Sequence, residues 1–187
     1  MSAFFSPCAH TIVPSQPSLR PFDIAVALRL VLVPEDRYEP LAIALATSTS
    51  AVHRSVARLQ HAGICGPGSR TVHEPALHEF LVYGARYAFP AVRGPEKAGL
   101  PTAGAHPDLR VVLGGDEGAR MLVWPVEGGP VRGESLVPLF NGLTKVVSRD
   151  ARLHPMLACV DGIRVGTALQ RRAAGEFMQH LIATRAS

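Results

Sequence analysis

Lysine is nearly missing from this 187-residue chain. Lys97 and Lys145 are the only two, so 17 of the 19 basic side chains are arginine. Arginine presents a planar fork that suits phosphates and base edges, although arginine-rich basicity also follows genome composition and decides little alone. Cysteine is scarce as well. Cys8, Cys65 and Cys159 are odd in number and widely separated, with no C-x-x-C and no metal spacing to the histidines. That excludes a disulfide framework and a cysteine metal site, and reduced thiols in a cytoplasmic protein are expected. No apolar run is long enough to cross a bilayer; the longest, Ile24 to Val33, is broken by Arg29 and followed by Pro34. No basic stretch precedes an apolar core at the N-terminus, so neither a secretion signal nor a membrane partner is expected.

The common catalytic signatures are absent too. The chain has no G-x-S-x-G, no H-E-x-x-H, no phosphate loop ending in G-K-[ST] and no G-x-G-x-x-G after a strand. Asp116 and Glu117 are adjacent on a glycine-rich turn and point different ways. His106 is the one acid–base candidate in its loop, without a nucleophile or carboxylate placed beside it. A non-enzyme with no cofactor and no metal is the expectation.

What is present begins with a net charge of +4 and a hydrophobic fraction of 47%. This suits one globular domain, or two small ones sharing a core. Between Glu39 and Glu74 there is no acidic residue, whereas Arg54, Arg58, Arg70 and three histidines lie in that window. A surface that meets phosphate must avoid carboxylates. The same stretch predicts a short apolar helix, Tyr38 to Ala46, a polar break at Thr47-Ser48-Thr49, and a second helix from about Thr49 to His61 stopped by Gly63. Ser48 suits the N-cap, because its hydroxyl can accept from the open backbone N–H groups of the first turn. Val52, Val56 and Leu59 form one apolar stripe at helical period. Thr49, Ser50, His53, Arg54, Ala57 and His61 fall opposite, with Arg58 at the margin. This is the outline of a helix-turn-helix whose second helix lies in a DNA major groove.

The segment S-T-S-A-V-H-R-S-V-A-R-L-Q-H-A-G-I resembles the turn and recognition helix of MarR-like winged helix-turn-helix regulators, and the resemblance covers Leu41 to Ile64. It implies a wing after Ile64, here Ile64-Cys65 and Thr71-Val72 flanking the turn Gly66-Pro67-Gly68-Ser69. The turn is shorter than a groove-reaching hairpin, so Arg70 is expected at a phosphate rather than deep in the minor groove. Under this reading His53, Arg54, Ser50 and Thr49 meet bases, and Ser48, Arg58 and Arg70 hold phosphates. Because one such helix reads only a few base pairs, a homodimer on double-stranded DNA is expected.

The rest of the chain divides around this unit. Residues 1–17, rich in proline, read as an N-terminal arm whose Phe4 and Phe5 pack on a neighbour. Residues 18–74 form the proposed DNA-binding domain, opened by a helix over residues 18–34. Residues 75–187 form a mixed α+β half suited to dimerisation or partner binding. Within it, Pro75 opens a helix running to Phe89 and interrupted at Gly84; residues 90–109 read as a long proline- and glycine-rich loop; and Arg110-Val111-Val112-Leu113 with Met121 to Val126 reads as a β-hairpin. A second helical unit, capped by Ser148 or Asp150, spans residues 148–185, with a break or kink over Asp161 to Gly166 and a last helix capped by Thr167. Asp161 and Arg164 can form an i, i+3 pair, and Arg171, Arg172 and Arg185 decorate the last helix. The fold class is therefore mainly α with a small β component.

Three functions follow. The first is a DNA-binding transcriptional regulator, acting as a repressor. The second rests on layout: a winged N-terminal half joined to a mixed C-terminal half is similar to AbiEi-like antitoxins, which implies a nucleotidyltransferase-type toxin as protein partner. The third is a ligand-sensing repressor with a pocket lined by Tyr83, Tyr87, Phe89 and Trp124.

Overall fold

The computed structural model describes residues 17–114 and 121–184. The N-terminal arm up to residue 16, Cys8, the acidic pair Asp116 and Glu117, and Arg185 lie outside the described residues. The chain is mainly helical with one small sheet. The helices are α1 (Pro21–Leu32), α2 (Tyr38–Ala44), α3 (Thr49–His61), α4 (Glu74–Glu79), α5 (Ala85–Ala88), α6 (Pro107–Leu113), α7 (Leu143–Arg149), α8 (Leu153–Val165) and α9 (Ala168–Ala183). The strands are β1 (Arg93–Thr102), β2 (Leu122–Pro125) and β3 (Val131–Leu136). Among the described residues, no helix is long and apolar enough to cross a membrane.

α1 is the central helix. Pro21 occupies its first turn, where a missing N–H costs nothing, and Asp23 reaches back to accept from the Arg20 N–H at 2.7 Å. Ile24, Val26, Leu28, Leu30 and Val31 are buried on nearly every side of it, against α3 on one flank and α8 on another. A helix apolar all round belongs inside a core, and one apolar cluster runs from Ile24 to Ile182 through both halves. Arg29, the basic residue on that helix, is neutralised twice, by Asp36 at 2.8 Å and by Asp150 at 2.7 Å. The second of these contacts ties α1 to the C-terminal half.

Past α3, Gly63 takes a left-handed conformation (φ 73°) and ends the helix. Cys65 and Val72 then make one antiparallel bridge around the turn at Gly66 to Ser69. α4, a π-helical turn at Phe80–Gly84 and α5 follow without a gap. The interruption expected at Gly84 is thus a widened turn within a continuous helical rod.

The long loop expected over residues 90–109 is largely β1, and Arg110 to Leu113, expected as a strand, lie in α6, so the expected hairpin does not form. β1 is antiparallel to both other strands, with Leu100 opposite Trp124 and Lys97 opposite Gly133, while β2 and β3 pair in parallel. The three strands therefore close on themselves. Such closure needs backbones nearer than side chains permit: a Cβ on Gly99 would stand 2.1 Å from the Trp124 carbonyl oxygen, and one on Gly133 would stand 2.2 Å from that of Met121. The glycines that look like loop residues are what let this strand pack.

The sheet is fastened to the helices by a buried carboxylate. Asp161, fully buried on α8, accepts from Trp124 Nε1 at 2.6 Å, Thr102 Oγ1 at 2.9 Å and Arg164 Nη1 at 2.6 Å. Arg164 also donates to the carbonyls of Phe89 and Pro90. Burial pushes the Asp161 carboxyl up, and the three donors work against that shift. The break or kink expected over Asp161 to Gly166 falls at its last residue: α8 runs through Asp161 and Gly162 to Val165, ends at Gly166, and Thr167 then caps α9 through Gln170.

His106 caps α6, its Nδ1 accepting from the Asp108 N–H at 3.3 Å, and its ring meets His154 edge-on at 4.5 Å. An acceptor Nδ1 requires the neutral ring. Burial lowers the His106 pKa to about 4, helped by the His154 ring and opposed by Asp108; burial lowers that of His154 as well. Groups whose folded pKa is depressed leave stability intact above the unfolded value, near 6.5, and lose it as pH falls through the folded one. Thermal stability should therefore decline between about pH 6.5 and pH 4, and His106→Asn should flatten that decline. Denaturation temperatures measured across this range for both proteins check it; parallel curves would contradict the assignment.

Candidate nucleic-acid interface

The turn between α2 and α3 is built tightly. Ala46 sits in the left-handed region (φ 52°), and the Thr47 N–H donates to the Ala42 carbonyl at 3.0 Å. Ser48 then accepts from the Ala51 N–H at 3.3 Å, as an N-cap does, and its hydroxyl lies 3.1 Å from that of Ser50. Val52, Val56 and Leu59 face the core. Ser48, Thr49, Ser50, His53, Arg54, Ala57 and His61 are exposed along the opposite side. Each of these expected placements is found.

His53 does not stand free. Its ring stacks on Tyr38, the first residue of α2, with centroids 3.5 Å apart and planes 19° from parallel. The Arg70 guanidinium carbon lies 4.8 Å from the same Tyr38 ring centroid. One half-buried tyrosine thus joins a side chain of α3 to one beyond the turn that follows it. Gln60 adds a second tie, donating to the Ser69 carbonyl at 2.7 Å, and Ser69 and Thr71 brace the turn from within. A cation over an aromatic face gains roughly 0.5–2 kcal/mol, enough to restrict a long side chain to one region.

Arg58 is placed differently from its expected phosphate role. Its Nε and Nη2 donate to the two oxygens of Asp23 at 2.7 and 2.5 Å, and Ser55 donates to the same carboxylate at 2.5 Å. Asp23 is fully buried and the Arg58 side chain is 16% exposed. The hydrogen bonds to Asp23 raise the Arg58 pKa further, against the effect of burial. The bidentate pair fixes α3 against α1, so Arg58 is spent on the scaffold that aims the exposed face. Sequence reasoning missed Tyr38 and Asp23. Asp23 carried a faint signal as an acid in the first turn of an otherwise apolar helix; Tyr38 carried none beyond its place at a helix start.

The aromatic ligand pocket expected from Tyr83, Tyr87, Phe89 and Trp124 does not form. Trp124 and Phe89 are core residues, whereas Tyr83 and Tyr87 are 71% and 75% exposed. Among the described residues, no group of three histidine, cysteine or acidic side chains is placed to hold a metal ion. Cys65 and Cys159 are buried free thiols, and burial pushes Cys65 up to about 11. No protein-family model, curated protein or solved structure matches the chain, so its functional reading stands on geometry and chemistry.

Arg54 and Arg58 should separate cleanly in stability. Arg58→Ala leaves a buried carboxylate without its cation and should cost about 3–5 kcal/mol. Arg54→Ala, on the exposed face, should stay within about 0.5 kcal/mol of the parent. Urea denaturation of the two variants checks this, and equal midpoints would contradict it.

Proposed function

We propose that the protein is a sequence-specific DNA-binding regulator of transcription that lays α3 in the major groove and acts as a repressor, as a homodimer on a two-fold operator. The observation that carries this reading is the exposed face of α3. Ser50, His53 and Arg54 project from its N-terminal half with no acidic residue in the surrounding sequence from Pro40 to His73. Arg54 can fork onto guanine O6 and N7, while Ser50 and Thr49 reach base edges or phosphates beside it. Arg70, steadied on Tyr38, supplies a phosphate contact from the turn that follows. The N-cap hydroxyl of Ser48 and the open N–H groups of the first turn of α3 suit a second phosphate.

A second reading adds a protein partner on the C-terminal half, as an antitoxin holds its toxin. An arginine- and tyrosine-lined groove beside α9 supports it.

Arg54→Ala should weaken operator binding by about 1–3 kcal/mol and relax the base preference at one position per half-site. A mobility-shift titration against the parent sequence and single-base variants reads both effects; unchanged affinity would remove Arg54 from the interface. Tyr38→Ala should release Arg70 and lower the slope of log affinity against log salt by about 1. Tyr38→Phe, which keeps the ring face, should leave the slope as it is. An equal slope in all three proteins would show that the stack does nothing for binding.

A further inference from the structure

We infer that the groove between the Phe80–Gly84 turn and α9 docks an acidic segment of a second protein. The groove arises from an unusual register. Leu77, Leu81, Ala85 and Phe89 are all buried, a spacing of four sustained from α4 through α5. A regular helix drifts by about 40° at each such step. The π-helical turn takes up the drift and holds the opposite face, Glu79, Tyr83 and Tyr87, outward along the whole rod. The other wall is α9, where Gly175 removes the side chain that would stand 2.7 Å from Val82 and where the Gly175 carbonyl meets His78 Nε2 at 3.2 Å. What remains is a cleft of about 540 Å³.

Its charge selects the occupant. Arg86, Arg171 and Arg172 line the cleft against a single carboxylate, Glu176. Arg172 and Glu176 pair at 3.0 Å while 81% and 64% exposed, which ties up little of either charge. Arg171 donates one N–H to the Gly166 carbonyl, and Arg86 lies 5.1 Å from the Tyr87 ring, so both keep donors for an incoming carboxylate. Tyrosine and arginine are the residues on which protein interfaces concentrate their binding energy. The two tyrosines line the cleft but stay 71% and 75% exposed, and only a partner broader than a small molecule covers them. A second copy presenting the same groove would set arginine against arginine. A nucleic acid carries charge at every phosphate and would meet Glu176, whereas a peptide can set an uncharged residue there and its carboxylates at the arginines. An acidic, partly apolar protein segment laid along the two helices satisfies every one of these conditions.

The inference stands apart from the DNA reading, because its residues lie outside the α3 face. The test uses the full chain on an array of synthetic peptides with shared apolar residues and acidic, neutral or basic remaining positions. Retention should be strongest on the acidic peptides. It should fall roughly tenfold for Tyr83→Ala/Tyr87→Ala and for Arg86→Gln/Arg171→Gln, with helical circular dichroism and promoter-DNA affinity unchanged in both. Retention that ignores peptide charge, or that persists in both variants, would overturn the proposal. Loss of DNA affinity in these variants with peptide retention intact would overturn it in favour of a nucleic-acid contact. Arg54→Ala, in turn, should lose DNA and keep the peptides.

Discussion

The Asp23 carboxylate, buried at the start of α1, holds four donors at once: the Arg20 N–H, the Ser55 hydroxyl and two guanidinium nitrogens of Arg58. A lone carboxylate in that position would cost several kcal/mol to bury, so each donor is required by the others. Its consequence is geometric. α3 meets α1 in one rotation, with Ser55 and Arg58 turned in and His53 and Arg54 turned out. An apolar stripe alone permits some sliding and rolling; a bidentate pair over a buried acid permits very little. The exposed face of α3 is held as firmly as the core beneath it.

The C-terminal half repeats the device. Asp161 gathers donors from β1, β2 and its own helix, and fixes a sheet too small to be stable alone. Arg29, also paired with Asp36, joins the two halves through Asp150, and the Arg149 guanidinium donates to the Ile43 carbonyl beside the turn that leads into α3. A partner seated on the C-terminal half would thus act on a body continuous with the α2–α3 unit.

The α2–α3 unit was legible because its signals are local. An N-cap serine, a stripe at helical period and a terminating glycine lie within sixteen residues of each other, and α3 has the bounds they predict, Thr49–His61. Thr167 and the last helix were legible for the same reason. β1 was not, because its glycines answer to close approach by β2 and β3, a long-range constraint with no local mark. Arg110 to Leu113 misled in the opposite way. A run of β-branched residues reads as strand, but Pro107 and the His106 cap start a helix that buries only Leu109 and Leu113 and leaves Val111 86% exposed. The site was half legible. Its outward residues follow from periodicity, whereas the Tyr38 stack and the inward turn of Arg58 depend on partners far along the chain.

The most direct test of the central claim is fluorescence anisotropy of the full chain on duplex DNA from its own promoter, repeated over a range of salt and against a scrambled duplex. Tight binding that prefers the promoter and weakens steeply as salt rises is the predicted result, since phosphate contacts release counterions and base contacts choose the sequence. Weak binding, equal on both duplexes, would contradict the account and leave α3 as a scaffold helix with an uncommitted face.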